Sequence, residues 1–282
     1  MKNIKRFLGI VLSVVTIAAC FAGCSGSTKA DEITDKTMLI AYTEENKPFI
    51  YEEDGKLTGF DVEIIDAIFN NVKNDYKNYK FVKVDEDYKV GEDAAYTAEN
   101  GTEYIAYIMV GGIQKNNGSF NKDNTFTEDI ISNRIITLTQ KDSEIKNYAN
   151  LEKADIGVFT KQAMTALEKN SAIKSNAKGI KEYKDIKSAL KDLDSGKIDA
   201  LITDEFSFNV LDTKDNYSVL PSELDTISYV YSFKKYDWYV DSINQAIMEL
   251  QSPDYNDADE FTPIVEKYFG YNASSFEYNP VN

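Results

Sequence analysis

Lys47-Pro48-Phe49-Ile50-Tyr51 and, two acids later, Asp54-Gly55-Lys56-Leu57-Thr58-Gly59-Phe60-Asp61-Val62 form the stretch on which the fold turns. Asp-Gly is a strong hairpin signal because it tolerates positive φ, so residues 49–51 and 56–58 read as the two arms of a hairpin. Past Gly59 the apolar period lengthens. Phe60, Ile64, Ile65, Ile68 and Phe69 share one face of a helix predicted over 61–73. A short apolar strand at 38–42 precedes the hairpin. The order strand, hairpin, helix opens an α/β domain.

The alternation continues outward. Strands are predicted at 80–85, 104–110, 134–139, 155–159, 199–203 and 227–233, with 104–110 running into Gly111-Gly112. Helices are predicted at 94–98 (stopped at Gly101), 161–169, 186–193, 205–211 and 261–269. Val240, Ile243, Ala246, Ile247 and Leu250 mark one more, by their helical spacing. Strands alternating with helices imply parallel βαβ units, which carry ligands at the carboxyl ends of their strands. Trp238 and the tyrosines, spread through strands and helix faces, read as core and not as a sugar-stacking platform.

Composition excludes several chemistries. The 282 residues include no histidine, and the two cysteines are Cys20 and Cys24. A Ser-His-Asp triad, a Cys-His pair, a zinc finger and an internal disulfide are therefore ruled out. No metal site or cofactor motif is expected, and no enzymatic role. The Asp254, Asp257, Asp259 and Glu260 knot lacks the glycine and spacing of a calcium loop. The formal charge is -16, a surface that repels nucleic acid and favours solubility.

The N-terminus reads as an address. Lys2, Lys5 and Arg6 precede an apolar run over 7–19, the pattern of a secretory leader. Ala22-Gly23-Cys24 resembles a bacterial lipobox, with Cys20 as the alternative. That resemblance implies a leader over 1–23, cleavage before Cys24 and lipidation of its thiol. Residues 24–35 then form a flexible tether.

The Lys47–Val62 run resembles the opening of the family 3 extracellular solute-binding proteins of amino-acid importers. Ser195-Gly196-Lys197-Ile198-Asp199-Ala200 leading to Thr203-Asp204, and Glu266-Lys267-Tyr268-Phe269-Gly270, add to it. The resemblance covers about 36–271. It implies a two-lobed, type II periplasmic-binding-protein-like α/β fold with two hinge crossings. Residues 34–133 and 228–276 would form lobe 1 and residues 135–226 lobe 2. A small polar, amino-acid-like solute would be captured by lobe closure, and the chain would be a monomer serving an ABC importer permease; the alternatives on the same fold are a ligand sensor or docking protein without transport, and a dehydratase or lyase that uses a cleft carboxylate. The chain would sit on the outer face of the cell membrane, held there by its lipid.

The same resemblance assigns ligand contacts. Asp204, at a strand-to-helix junction, aligns with the acid that pairs with a ligand ammonium. As a residue type it equally suits a helix N-cap. Thr43, Asn46 and Phe49 lie in the first ligand loop, with Asn46 where the family places an aromatic and Phe49 equally suited to the core. Gly112 and Gln114 align with the turn that holds the ligand carboxylate through its backbone. Ser119, or Asn117 with a slipped register, stands where the family has its carboxylate-binding arginine. Lys161 and Gln162 replace a Gly-Thr or Gly-Ser helix start, and Lys161 would supply positive charge. Arg134, the one arginine after the leader, is placed at the first crossing.

Overall fold

The computed structural model describes residues 33–71, 76, 78–115, 123–253 and 258–270. In chain order the elements begin β1 (Thr37–Tyr42), β2 (Tyr51–Glu53), β3 (Lys56–Thr58), α1 (Phe60–Asn71), β4 (Asn78–Lys83), β5 (Ala94–Thr97), β6 (Glu103–Gln114) and β7 (Asn124–Phe126). Next come β8 (Ile131–Gln140), β9 (Asp155–Phe159), α2 (Lys161–Lys169), α3 (Ser171–Asn176), β10 (Gly179–Tyr183) and α4 (Ile186–Asp194). Last are β11 (Ala200–Asp204), α5 (Glu205–Asn209), β12 (Tyr217–Val219), β13 (Asp225–Lys234), α6 (Tyr239–Leu250) and α7 (Phe261–Phe269).

The strands lie in the order β10-β9-β11-β8-β13-β6-β1-β4, and β2 pairs with β3 as the expected hairpin. Two ten-residue strands, β8 and β13, join the halves of this path. They run antiparallel from Tyr229 opposite Ile131 to Asp225 opposite Ile135. Beyond that shared stretch β8 goes on against β11, and β13 goes on against β6 and β7. Each is thus divided between the halves, giving a two-lobed α/β fold with two crossings.

Both faces of each half-sheet are covered, as parallel strands require. Along β1, Met38 and Ile40 join the cluster beneath α1, α6 and α7, while Leu39 and Ala41 face Val90, Ala106 and Met109. In the other half, Ile156, Val158, Ala200 and Ile202 pack against α2 and α3, and Ile136, Leu138 and Leu201 against α4. Each fully buried Ile, Leu or Phe contributes about 1.5–3 kcal/mol, so the alternation read from the sequence carries most of the packing.

Two expectations fail. Residues 94–97 form a strand, because Tyr96 and Thr97 pair with Tyr104 and Glu103 around a turn containing Asn100-Gly101, with Gly101 at φ 81°. That dipeptide is a hairpin signal outweighed by the short alanine run. Trp238 is not core: it is 75% exposed, on the turn between β13 and α6.

Candidate functional site

Thr43–Asn46 follows β1, Gly112 and Gln114 end β6, Thr160–Gln162 follows β9, and Asp204 ends β11. Within each half, these lie at the carboxyl ends of parallel strands. β1 is parallel to β6, and β9 to β11. This is where ligands sit in open α/β sheets.

In the first half, Thr43 is half-buried in the loop after β1. Asn46 bridges to Ile50 through its backbone, and its side-chain amide donates to the Gly111 carbonyl at 2.9 Å. The side chain therefore ties the loop to the end of β6. Phe49 is only 4% exposed, with its ring 4.5 Å from Tyr229 and 5.6 Å from Phe269. It belongs to the core, since a ring so enclosed offers no face to a ligand.

Gly111 and Gly112 have φ of 117° and 70°. Their N–H groups donate to Asp61 Oδ2 at 2.8 and 3.0 Å. The Gly112 amide that the resemblance offers to a ligand carboxylate is thus taken by a buried carboxylate of the chain itself. The reason is energetic, because an acid removed from water requires donors. Burial pushes the Asp61 carboxyl up to about 7, against the pull of these two amides. A side chain at Gly112 would meet Phe49 at 2.5 Å and Asn46 at 2.7 Å, so only glycine fits.

At the crossing, Asn133 is 4% exposed. It donates to Asp204 Oδ1 at 3.1 Å and accepts from the Phe206 N–H at 3.1 Å. Asp204 caps α5, accepting from the Ser207 N–H at 2.9 Å and from the Ser207 hydroxyl at 2.8 Å. Three of about four lone-pair sites on the carboxylate are used by partners among the described residues. Cap and ligand contact are therefore compatible. The Tyr229 hydroxyl completes the cluster. Burial pushes it up to about 12, with Asp204 acting in the same direction and Asn133 and Gln114 pulling it down. Arg134 forks onto Glu205, its Nε donating to Oε2 at 2.8 Å, so its charge is matched beside the crossing.

Thr160, a β-branched residue at φ 87°, caps α2 by accepting from the Ala163 N–H at 3.3 Å. Positive φ is a real outlier for such a residue. Lys161 is exposed, with its ammonium unpaired among the described residues, and Gln162 is half-buried. A helix start of this kind favours an anion. Ser119 and Asn117, and both cysteines, lie outside the described residues.

Asn133, Tyr229 and Asp61 were not singled out from the sequence as site residues. The signal available for Asn133 was a polar amide inside an otherwise alternating strand.

No family model matches the chain. A Bacillus subtilis (strain 168) protein named as a probable amino-acid-binding protein, YxeM, is 25% identical over 271 residues, covering 92% of this chain and 94% of the relative. A Streptococcus thermophilus substrate-binding protein of a polar amino acid ABC uptake transporter matches with TM-score 0.65 and 24% identity, over 88% of this chain and 93% of that one. The unliganded, open L-cystine solute receptor of Neisseria gonorrhoeae matches with TM-score 0.62 and 19% identity, over 84% of this chain and 94% of that one. The likeness carried by the Lys47–Val62 run is thereby borne out: the chain shares the two-lobed fold of these solved binding proteins and is similar over nearly its whole length to a probable amino-acid-binding protein.

Proposed function

We propose that this chain is the extracytoplasmic substrate-binding component of an ABC importer, capturing a small polar solute of the amino-acid class by closing two lobes and passing it unchanged to a permease. The relative named for amino-acid binding supports the solute class. One observation carries the reading. Asn133, Asp204, Gln114 and Tyr229 converge where β8 and β13 pass between the halves, so groups from both sides meet at the crossing. A ligand touching both sides gains contacts only when they approach, which makes closure ligand-dependent.

The lobes are taken as 34–133 with 228–276, and 135–226. The change of lobe falls where Arg134 opposes Thr226 and Asn133 opposes Ile227. The acceptor position on Asp204 that is unused among the described residues receives the solute's ammonium. Lys161 and the amides starting α2 face its carboxylate, with Gln162, Thr43 and Gln114 as polar lining. Phe49 supports this wall from within the core, and Gly112 shapes it. The leader, lipidation at Cys24 with Cys20 as the alternative, and a monomeric state complete the proposal. Among the described residues no helix is long and apolar enough to cross a membrane.

A thermal-shift screen against amino acids, small peptides, amines and sugars tests it, because a ligand that binds only the folded state raises Tm. The expected result is a rise with one or more amino acids that is lost in Asp204→Asn, whose own Tm stays near that of the parent. A response confined to another ligand class would overturn the solute assignment, and product formation during incubation would overturn the binding-only role.

A further inference from the structure

The Lys234–Trp238 turn, Lys-Lys-Tyr-Asp-Trp, exposes its two aromatic side chains. Tyr236 is 87% exposed and Trp238 75%, the two highest values among the exposed large apolar residues. The turn is held firmly. The Tyr236 N–H donates to the Thr125 hydroxyl at 3.0 Å, and the Lys235 N–H to the Asp123 carbonyl at 3.0 Å. A rigid turn that holds out tryptophan and tyrosine without covering them is built for contact. Each ring has an apolar body and a polar tip, the pairing enriched at membrane–water boundaries.

The topology says what that contact is. β13 runs antiparallel to β6, which is parallel to β1, so the end of β13 and the start of β1 share one end of the lobe. The candidate ligand groups lie at the opposite end. The chain enters the lobe at Ile33, buried in a cluster with Val90. The next residue, Gly91, packs against Lys234, and Glu92 pairs with the Lys234 ammonium at 3.4 Å. The cluster that buries Ile33 is thus continuous in chain with the Gly91–Glu92 segment that packs on the base of the aromatic turn. Eight residues lie between Cys24 and Ile33, a reach over nine Cα steps of at most about 32 Å. The turn itself carries two lysines and one aspartate, so its own residues are less acidic than a chain of net charge -16 as a whole.

We infer that the Tyr236 and Trp238 turn seats in the headgroup layer of the membrane to which the chain is tethered. This rests on the proposed lipid anchor. It adds a contact that a tether alone does not supply.

Trp238 is the single tryptophan of the chain, so its fluorescence reports on this turn alone. The lipid-modified chain is reconstituted into phosphatidylglycerol–cardiolipin vesicles, and acrylamide quenching and emission wavelength are compared with the detergent-free chain bearing Cys20→Ser and Cys24→Ser. Vesicles containing lipids brominated near the headgroup are run in parallel. The expected result is a blue-shifted emission, acrylamide quenching reduced several-fold, and quenching by the brominated lipid. A chain that sediments with vesicles while Trp238 keeps the emission and quenching of water overturns the inference and leaves the anchor standing. A chain that does not sediment overturns both. Protection of Trp238 that appears only with co-reconstituted permease assigns the turn to a protein partner and overturns the lipid contact.

Discussion

Two buried acids stand near the start of helices in this molecule, and they do opposite things. Asp61 lies in the first turn of α1 and is 3% exposed; Asp204 caps α5 and is 6% exposed. Asp204 takes two of its three hydrogen bonds from Ser207, three residues on, and the third from Asn133. Asp61 takes its bonds from Gly111 and Gly112, fifty residues away, and its carboxyl is pushed up to about 7. Asp204 is satisfied largely by its own helix, with one lone-pair site unused among the described residues. Asp61 is committed to holding a distant turn in shape. Burial of a carboxylate near a candidate site is thus not itself a mark of ligand contact; the source of its donors decides.

The largest expected effect concerns Asp61. Its folded value lies about three units above an ordinary aspartate, so between about pH 4 and pH 7 the folded state binds one more proton than the unfolded state. Stability from this group is greatest below pH 4, declines as the pH rises to 7, and is constant above. At about 1.36 kcal/mol per unit the full change is about 4 kcal/mol. Urea denaturation across pH 4–8 should show this downward slope in the parent and its loss in Asp61→Asn. An unchanged slope in the variant would remove the contrast between the two acids.

Next in size is Gly112→Ala. The new methyl must intrude on Phe49 and Asn46 while the backbone stays at φ 70°, a combined cost of about 3 kcal/mol. A loss below about 1 kcal/mol in chemical denaturation would mean that the turn yields easily and that Asp61 is not holding a fixed shape.

The smallest is Asp204. Asp204→Ala removes the cap and leaves the Asn133 amide without its partner, at about 2 kcal/mol. Asp204→Asn keeps a capping oxygen and should cost well under half of that, while removing the charge offered to a ligand ammonium. Equal destabilisation by both variants would make the charge itself structural and would bring Asp204 into line with Asp61.

Much of the architecture was legible in the chain. The helices at 161–169 and 261–269 appear at the residues predicted, because three-to-four-residue apolar spacing and a closing Gly270 at φ 69° are local signals. The strand at 94–97 was missed because its stability comes from pairing with β6 and not from its own residues, Ala-Ala-Tyr-Thr. At the site, Asp204 was found from its place at a strand-to-helix junction. Asn133 and Tyr229 were passed over because a lone polar or aromatic residue in a strand gains meaning only from the strand beside it.

The sequence by itself settled the α/β class, the absence of histidine and hence of any triad or Cys-His pair built on it, and the positions of most helices, since composition and periodicity are properties of neighbouring residues. Only the tertiary structure decided that Asp61 claims the amides of Gly111 and Gly112, that Phe206, from the helix following β11, packs 4.1 Å from Phe269 in the other half, and that Trp238 stands in solvent. These depend on which distant segments come together, and no local pattern records a partner fifty or more residues away.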